Sequence, residues 1–147
     1  MKRFALAFAL AAGLATSASA ETFGPLVEAD DLAAALDSEM PILLDIRNAG
    51  YEDGHAEGAL FAPYRMFRGP DKNPGALFDI EKLEAELEEL GLEQDVPIVI
   101  LSEGKTDTDF GSAARVYWTL KSTGFEDLSI LNGGLTAWKA AGLLGAP

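Results

Sequence analysis

Three short, almost unbroken apolar runs constrain this chain more than any other feature. Residues 42–46 (Ile-Leu-Leu-Asp-Ile), 98–101 (Ile-Val-Ile-Leu) and 128–131 (Leu-Ser-Ile-Leu) are too short for helices and do not alternate apolar with polar. A strand covered on one face alternates; a strand covered on both faces need not. Helix-like stretches separate the runs. Ile80, Leu83, Leu87 and Leu90 recur at intervals of three and four, with glutamates opposite and Gly91 as a stop. Residues 30–36 follow an acidic cap, Ser112 is the candidate cap of a helix over 113–122 ending at Gly124, and 135–141 follow Gly133-Gly134. Short strands are also expected at 59–62 and near 22–27. Strands alternating with helices predict an α/β domain, a small parallel sheet with helices on both faces. Residues 62–79, with three prolines and two glycines, read as a long excursion over the surface.

The first twenty residues stand apart from that pattern. Lys2 and Arg3 precede an apolar run from Phe4 to Ala15, and Ala18-Ser19-Ala20 is a small-x-small cleavage site. This is the form of a secretory signal peptide, too short for a membrane span. Cleavage after Ala20 is expected, leaving residues 21–147 as one exported domain, most simply in the periplasm of a Gram-negative bacterium.

Charge and side-chain chemistry then exclude several classes. The whole chain has 11 basic and 24 acidic residues, a net charge of −13; without Lys2 and Arg3, 9 bases face the same 24 acids. Such a surface repels nucleic acid and anionic lipid, so neither is an expected partner, and it keeps a protein soluble. There is no cysteine and one histidine. Disulfides, thiolate metal sites and thiol catalysis are therefore impossible, and neither a metal nor a cofactor is expected.

Three segments carry the chemistry. In the first, Asp45 and Arg47 flank Ile46 and so share one side of a strand near its C-terminal edge. They are a catalytic pair or, the reading preferred here, hydrogen-bonding partners of the neighbouring loops, since Arg presents a fork of donors and Asp accepts backbone N–H bonds. Gly54-His55 and Gly58 follow. The glycines suit turns that need positive φ or close packing, and His55 is expected to bond backbone groups in that turn rather than act as a base. In the third segment, Asn132-Gly133-Gly134 gives the chain freedom to turn into a helix whose Trp138 covers the sheet. Between them, "VILSEGKTDTDFGSAAR" leaves a strand at Ser102 and enters a polar loop. Loops of this kind can surround an anion with backbone N–H groups.

The motifs "DIR", "Y-x-x-GH-x-x-GA" and "LNGG-x-x-AW-x-x-AG" resemble, in order and spacing, those of the rhodanese-like family, and the resemblance runs over residues 26–142. It implies a three-layer α/β domain with a site at the C-terminal ends of the strands. It also implies a catalytic cysteine at the position of Ser102, whose thiolate would accept sulfane sulfur and pass it on. The loop that holds a persulfide or oxyanion would here comprise Ser102, Glu103, Gly104, Lys105, Thr106, Ser112 and Arg115, with Arg65 and Arg68 of the excursion nearby. Asp45, Arg47, Gly54, His55, Gly58, Asn132, Gly133, Gly134 and Trp138 are read as structural.

Three departures from the family pattern follow. Serine cannot form a persulfide, and its oxygen ionises far less readily than sulfur. The loop from Glu103 to Gly111 looks long. Glu103, Asp107 and Asp109 outnumber Lys105, a poor setting for an anionic donor. Ala113, Arg115 and Trp118 match the Ala-x-Arg-x-x-Trp helix of the non-catalytic first domain of tandem thiosulfate sulfurtransferases. In that setting Arg115, in the first turn, faces the loop and an anion or pairs with a loop carboxylate. The expectation is an exported binding or regulatory module without a catalytic residue. Its partner would be another protein or a small anionic or sulfur-containing ligand. The alternative is a component of a sulfurtransferase whose cysteine lies on another domain or subunit. Ester or phosphate hydrolysis by Ser102 is a weaker third reading, since no base is evident.

Overall fold

The computed structural model describes residues 21–76, 79–143 and 145. The expected signal peptide, residues 1–20, lies outside the described residues. Five strands form one parallel sheet: β1 (Leu26–Val27), β2 (Ile42–Asp45), β3 (Leu60–Phe61), β4 (Ile98–Leu101) and β5 (Leu128–Leu131), in the spatial order β1-β5-β4-β2-β3. The helices are α1 (Ala29–Glu39), α2 (Ile80–Glu89), α3 (Asp107–Ser122) and α4 (Gly134–Ala140).

Alternation along the apolar runs decides which layer each residue joins. Leu44, Ile98, Ile100, Leu128 and Ile130 point to one side, where Leu83 and Leu87 of α2 and Val116 and Leu120 of α3 cover them. Leu43, Val99, Leu101 and Leu131 point to the other side, against Leu32 of α1 and Leu135 and Trp138 of α4. Both faces are thus buried, which is why these strands read as continuous apolar runs. Trp138 is 2% exposed, as the core reading of that residue requires.

Register brings the strand ends together. Asp45 lies opposite Leu101, and the Ile46 N–H donates to the Leu101 carbonyl at 3.0 Å. The chain therefore leaves β2 at Asp45 and β4 at Ser102 side by side at the C-terminal edge of the sheet. The excursion after β3 makes a single 3-10 turn over Tyr64–Phe67, placing Phe67 in the core, and then a series of tight turns.

One boundary differs from expectation. Helix α3 begins at Asp107, not after Ser112. Thr106 is its N-cap: its hydroxyl accepts from the Asp109 N–H, while the Asp109 carboxylate accepts from the Thr106 N–H, a reciprocal capping box. Ser112 lies inside the helix, its hydroxyl donating to the Thr108 carbonyl at 3.0 Å. The loop after β4 is thus 102–106, and residues 107–111, expected to lie in it, belong to α3. Asp107 and Asp109 belong to the first turn, where the helix dipole favours negative charge.

Candidate functional site

The site is the short loop 102–106, held between the turn after β5 on one side and the turn after β2 on the other. Ser102 heads it and is 5% exposed. Its carbonyl accepts the Leu135 N–H at 2.8 Å, and the Glu103 carbonyl accepts both the N–H and hydroxyl of Thr136, at 3.1 and 2.8 Å. The first turn of α4 therefore ties down the loop through its carbonyls.

Glycines make that approach possible. Gly104 has φ +77°, and a Cβ there would collide with the carbonyl oxygen of Gly133. Gly134 has φ +55°, and its Cβ would lie 2.5 Å from the Ser102 carbonyl oxygen. The obstacles are backbone atoms, which cannot rotate aside. The Asn-Gly-Gly turn thus does more than supply conformational freedom: it receives the loop backbone to backbone. Asn132 itself faces away, donating from Nδ2 to Glu28 at 2.7 Å and so joining the start of α1 to the turn.

On the other side the contacts are ionic. Asp45 is fully buried; its carboxylate takes Nε and Nη2 of Arg47, the closest contact being 2.7 Å. Arg47 Nη2 also donates to the Gly54 carbonyl at 2.9 Å. Burial opposes the Arg47 charge, yet the hydrogen bonds and attraction of Asp45, aided by Glu103, raise its pKa above the ordinary arginine value. The pair is thus a brace for the neighbouring turn, the second of the two readings open for it. Gly54 and Gly58 both have positive φ (142° and 76°). His55 stacks on Tyr51, ring centroids 3.9 Å apart, with Nδ1 3.0 Å from the Tyr51 carbonyl oxygen. It is a turn residue, as expected.

The loop's charged groups are already engaged with one another. Glu103 meets Lys105 at 2.6 Å, and its pKa is lowered, first by that bond and then, against partial burial, by the charges of Lys105, Arg47 and Lys139. Burial pulls the Asp109 carboxyl upward, but the N–H groups of Lys105 and Thr106, each at 2.9 Å, outweigh it and lower its pKa. A carboxylate of this chain therefore takes two of the N–H groups expected to hold an anion. A shallow cavity of about 240 Å³ remains between Ser102, Gly104, Phe110 and the Asn132–Gly134 turn.

Four expected residues do not join the loop: Ser112, which lies inside α3, and Arg115, Arg65 and Arg68. Arg115 begins the third turn of α3, not the first, because the helix starts six residues earlier than expected. Its guanidinium donates to the Gly75 and Ala76 carbonyls at 3.2 and 2.9 Å and lies over the Trp118 ring at 5.3 Å. It makes neither an anion contact with the loop nor an ion pair with a loop carboxylate; it anchors the excursion. Arg65 and Arg68 border a separate cavity with Asp71 and Pro74.

Among the described residues, no side chain hydrogen-bonds the Ser102 hydroxyl, so no base is in place to activate it. None of these residues forms a cluster of three or more His, Asp or Glu able to hold a metal, and no helix among them is long and apolar enough to cross a membrane.

Sheet order, helix layers and the loop after the central strand define a class, and comparison with known proteins gives it a family. Residues 28–141 match the rhodanese-like domain, and this chain belongs to that family. It is 37% identical over 117 residues to a thiosulfate sulfurtransferase of Azotobacter vinelandii, covering 78% of this chain and 42% of that protein. It is 33% identical over 130 residues to the 3-mercaptopyruvate sulfurtransferase of Escherichia coli, covering 80% and 45%. The crystal structure of SseA from Escherichia coli, described as having a rhodanese fold, superposes with a TM-score of 0.67 at 28% identity, over 83% of this chain and 50% of that one. The chain thus spans about half the length of the curated relatives it matches.

Proposed function

We propose that this protein is an exported rhodanese-like domain that does not itself transfer sulfur. It works instead as a binding or regulatory module, recognising a protein partner or a small anionic or sulfur-containing ligand at the C-terminal ends of β2, β4 and β5. One observation carries the reading: an oxygen, Ser102, stands at the head of the loop, and the chain contains no cysteine anywhere. A hydroxyl without an adjacent base is not a nucleophile at neutral pH, and no persulfide forms on oxygen. The leader-like residues 1–20 support export to the periplasm.

The test is sulfane-sulfur transfer from thiosulfate, and from 3-mercaptopyruvate, to cyanide by the purified protein. No thiocyanate above the protein-free rate is expected; steady turnover would overturn the reading.

Partial coverage of the relatives favours one second reading, that this domain serves a sulfurtransferase whose cysteine is carried by another domain or subunit. A Cys-bearing rhodanese domain that co-purifies with this protein, and whose transfer rate changes when this protein is removed, would support it. An unchanged rate would eliminate it.

A further inference from the structure

At the opposite edge of the sheet, where β4 and β5 begin, the ends of α2 and α3 enclose a separate hollow. Gln94, in the connection after α2, donates from Nε2 to the Thr123 carbonyl at the end of α3, at 3.2 Å. The two residues line a cavity of about 210 Å³. Its floor is Leu87, Leu92 and Phe125, all part of the core layer that α2 and α3 cover. Its rim is Glu84 and Glu88, both exposed.

That rim is electrostatically unfavourable for α2 on its own. Glu84 and Glu88 are four residues apart on one helix, where like charges repel. Glu88 and Glu89 stand in the last turn, which carries no base, and the helix dipole disfavours negative charge there. Among the described residues, neither the Glu84 nor the Glu88 carboxylate has an ion-pair or hydrogen-bonding partner: Lys82 reaches Glu86, and Lys121 reaches Glu21. The negative surface continues past Gln94, where Asp95 and Glu126 line an adjoining hollow. Solubility needs acidic residues on the surface, but it does not need them around an apolar floor or at the helix end that repels them.

We propose that this hollow is a docking site for a basic segment of a partner protein. The alkyl stem of one lysine or arginine lies on Leu87, Leu92 and Phe125, with its charged end between Glu84 and Glu88. A neighbouring basic residue of the same segment faces Asp95 and Glu126. Charge complementarity selects this occupant, because one cation relieves both the repulsion across the rim and the unfavourable end of α2. A metal ion would leave the apolar floor uncovered. A second copy of the chain, with 24 acidic residues against 11 basic, brings the wrong sign of charge. The site lies on the edge opposite the 102–106 loop and depends neither on export nor on the absence of sulfur transfer.

The experiment is an NMR titration of the purified protein with the blocked peptide acetyl-Gly-Lys-Gly-Arg-Gly-amide. The reporters are the backbone amides of Leu92, Gln94, Gly124 and Phe125. Controls at matched ionic strength are the same peptide with glutamine at both basic positions, ammonium chloride and magnesium chloride. Saturable shifts centred on those amides are expected with the basic peptide alone. Removing an exposed charge changes affinity by about five-fold. Glu88→Gln should therefore bind the peptide about five-fold more weakly, while resisting urea at least as well as the parent. Asp31→Asn, which makes the same change of net charge on α1 across the sheet, should bind as the parent does. The proposal is overturned if the basic peptide gives no saturable shift, or if its shifts spread evenly over the acidic surface. It is equally overturned if the glutamine peptide or either salt gives the same shifts, or if Glu88→Gln binds as tightly as Asp31→Asn. Because the readout is at residues 92–94 and 124–125, its failure is distinct from any result in the sulfur-transfer assay.

Discussion

The two sides of the 102–106 loop are held by different physics. Towards β5, the loop rests on the Gly133-Gly134 turn through backbone contacts that leave no space for a single methyl group. Towards β2, it meets Arg47 through charges: Arg47 itself is buried and braced, Glu103 is partly exposed and Lys105 is exposed. Steric exclusion fixes position and tolerates nothing; ionic contact fixes sign and tolerates movement. The side chain at the head of the loop can therefore change while the backbone contacts keep the loop in place.

Substitutions should expose that asymmetry, beginning with the brace beneath the charged side. Asp45→Ala strands the buried Arg47 charge, and loss of one member of a buried pair costs about 3–5 kcal/mol. The midpoint of urea unfolding should fall accordingly. Gly134→Ala should cost about 3 kcal/mol, combining left-handed backbone strain with a clash against the Ser102 carbonyl. If it cost less than 1, the rigid side would not be rigid. Thr106→Ala removes the cap of α3 and should cost about 1 kcal/mol, with amide exchange quickening in the first turn of the helix.

Glu103→Gln should change stability least, by about 0.5 kcal/mol at neutral pH. Its dependence on pH is more telling. The folded pKa of Glu103 is depressed, so its stabilisation is present above the unfolded value, about 4.3, and disappears as pH falls through the lower folded value. The stability difference between parent and Glu103→Gln should therefore shrink towards zero as the medium is acidified past pH 4. This differential measurement cancels the relief of general acidic repulsion that both proteins share.

The fold was legible because its strands are buried on both faces, so the runs at 42–46, 98–101 and 128–131 carried the strand signal without periodicity. The brace of Asp45 and Arg47, the turn role of His55 and the core position of Trp138 also followed from local pattern. The start of α3 is less legible. "SEGKTDTDFG" is polar, lacks apolar periodicity and contains Gly111, yet Thr106-x-x-Asp109 is a capping-box signature written in four residues. The cap at Thr106 places Ser112 and Arg115 together inside the helix. The contact of Gly104 with Gly133 and Gly134 was beyond reach, since a sequence displays glycines without showing which backbone approaches them across the 28 residues between Gly104 and Gly133.

We propose that the 102–106 loop keeps the scaffold of a sulfur-transfer site and lacks the thiol. The most direct measurement is intact-protein mass spectrometry of the parent and of Ser102→Cys after exposure to thiosulfate. At the introduced cysteine, the thiolate would attack the outer sulfur of thiosulfate, the S–S bond would break and sulfite would leave. A gain of one sulfur atom by Ser102→Cys and none by the parent is the predicted result. Sulfur uptake by the parent, or a folded Ser102→Cys that gains none, would contradict it.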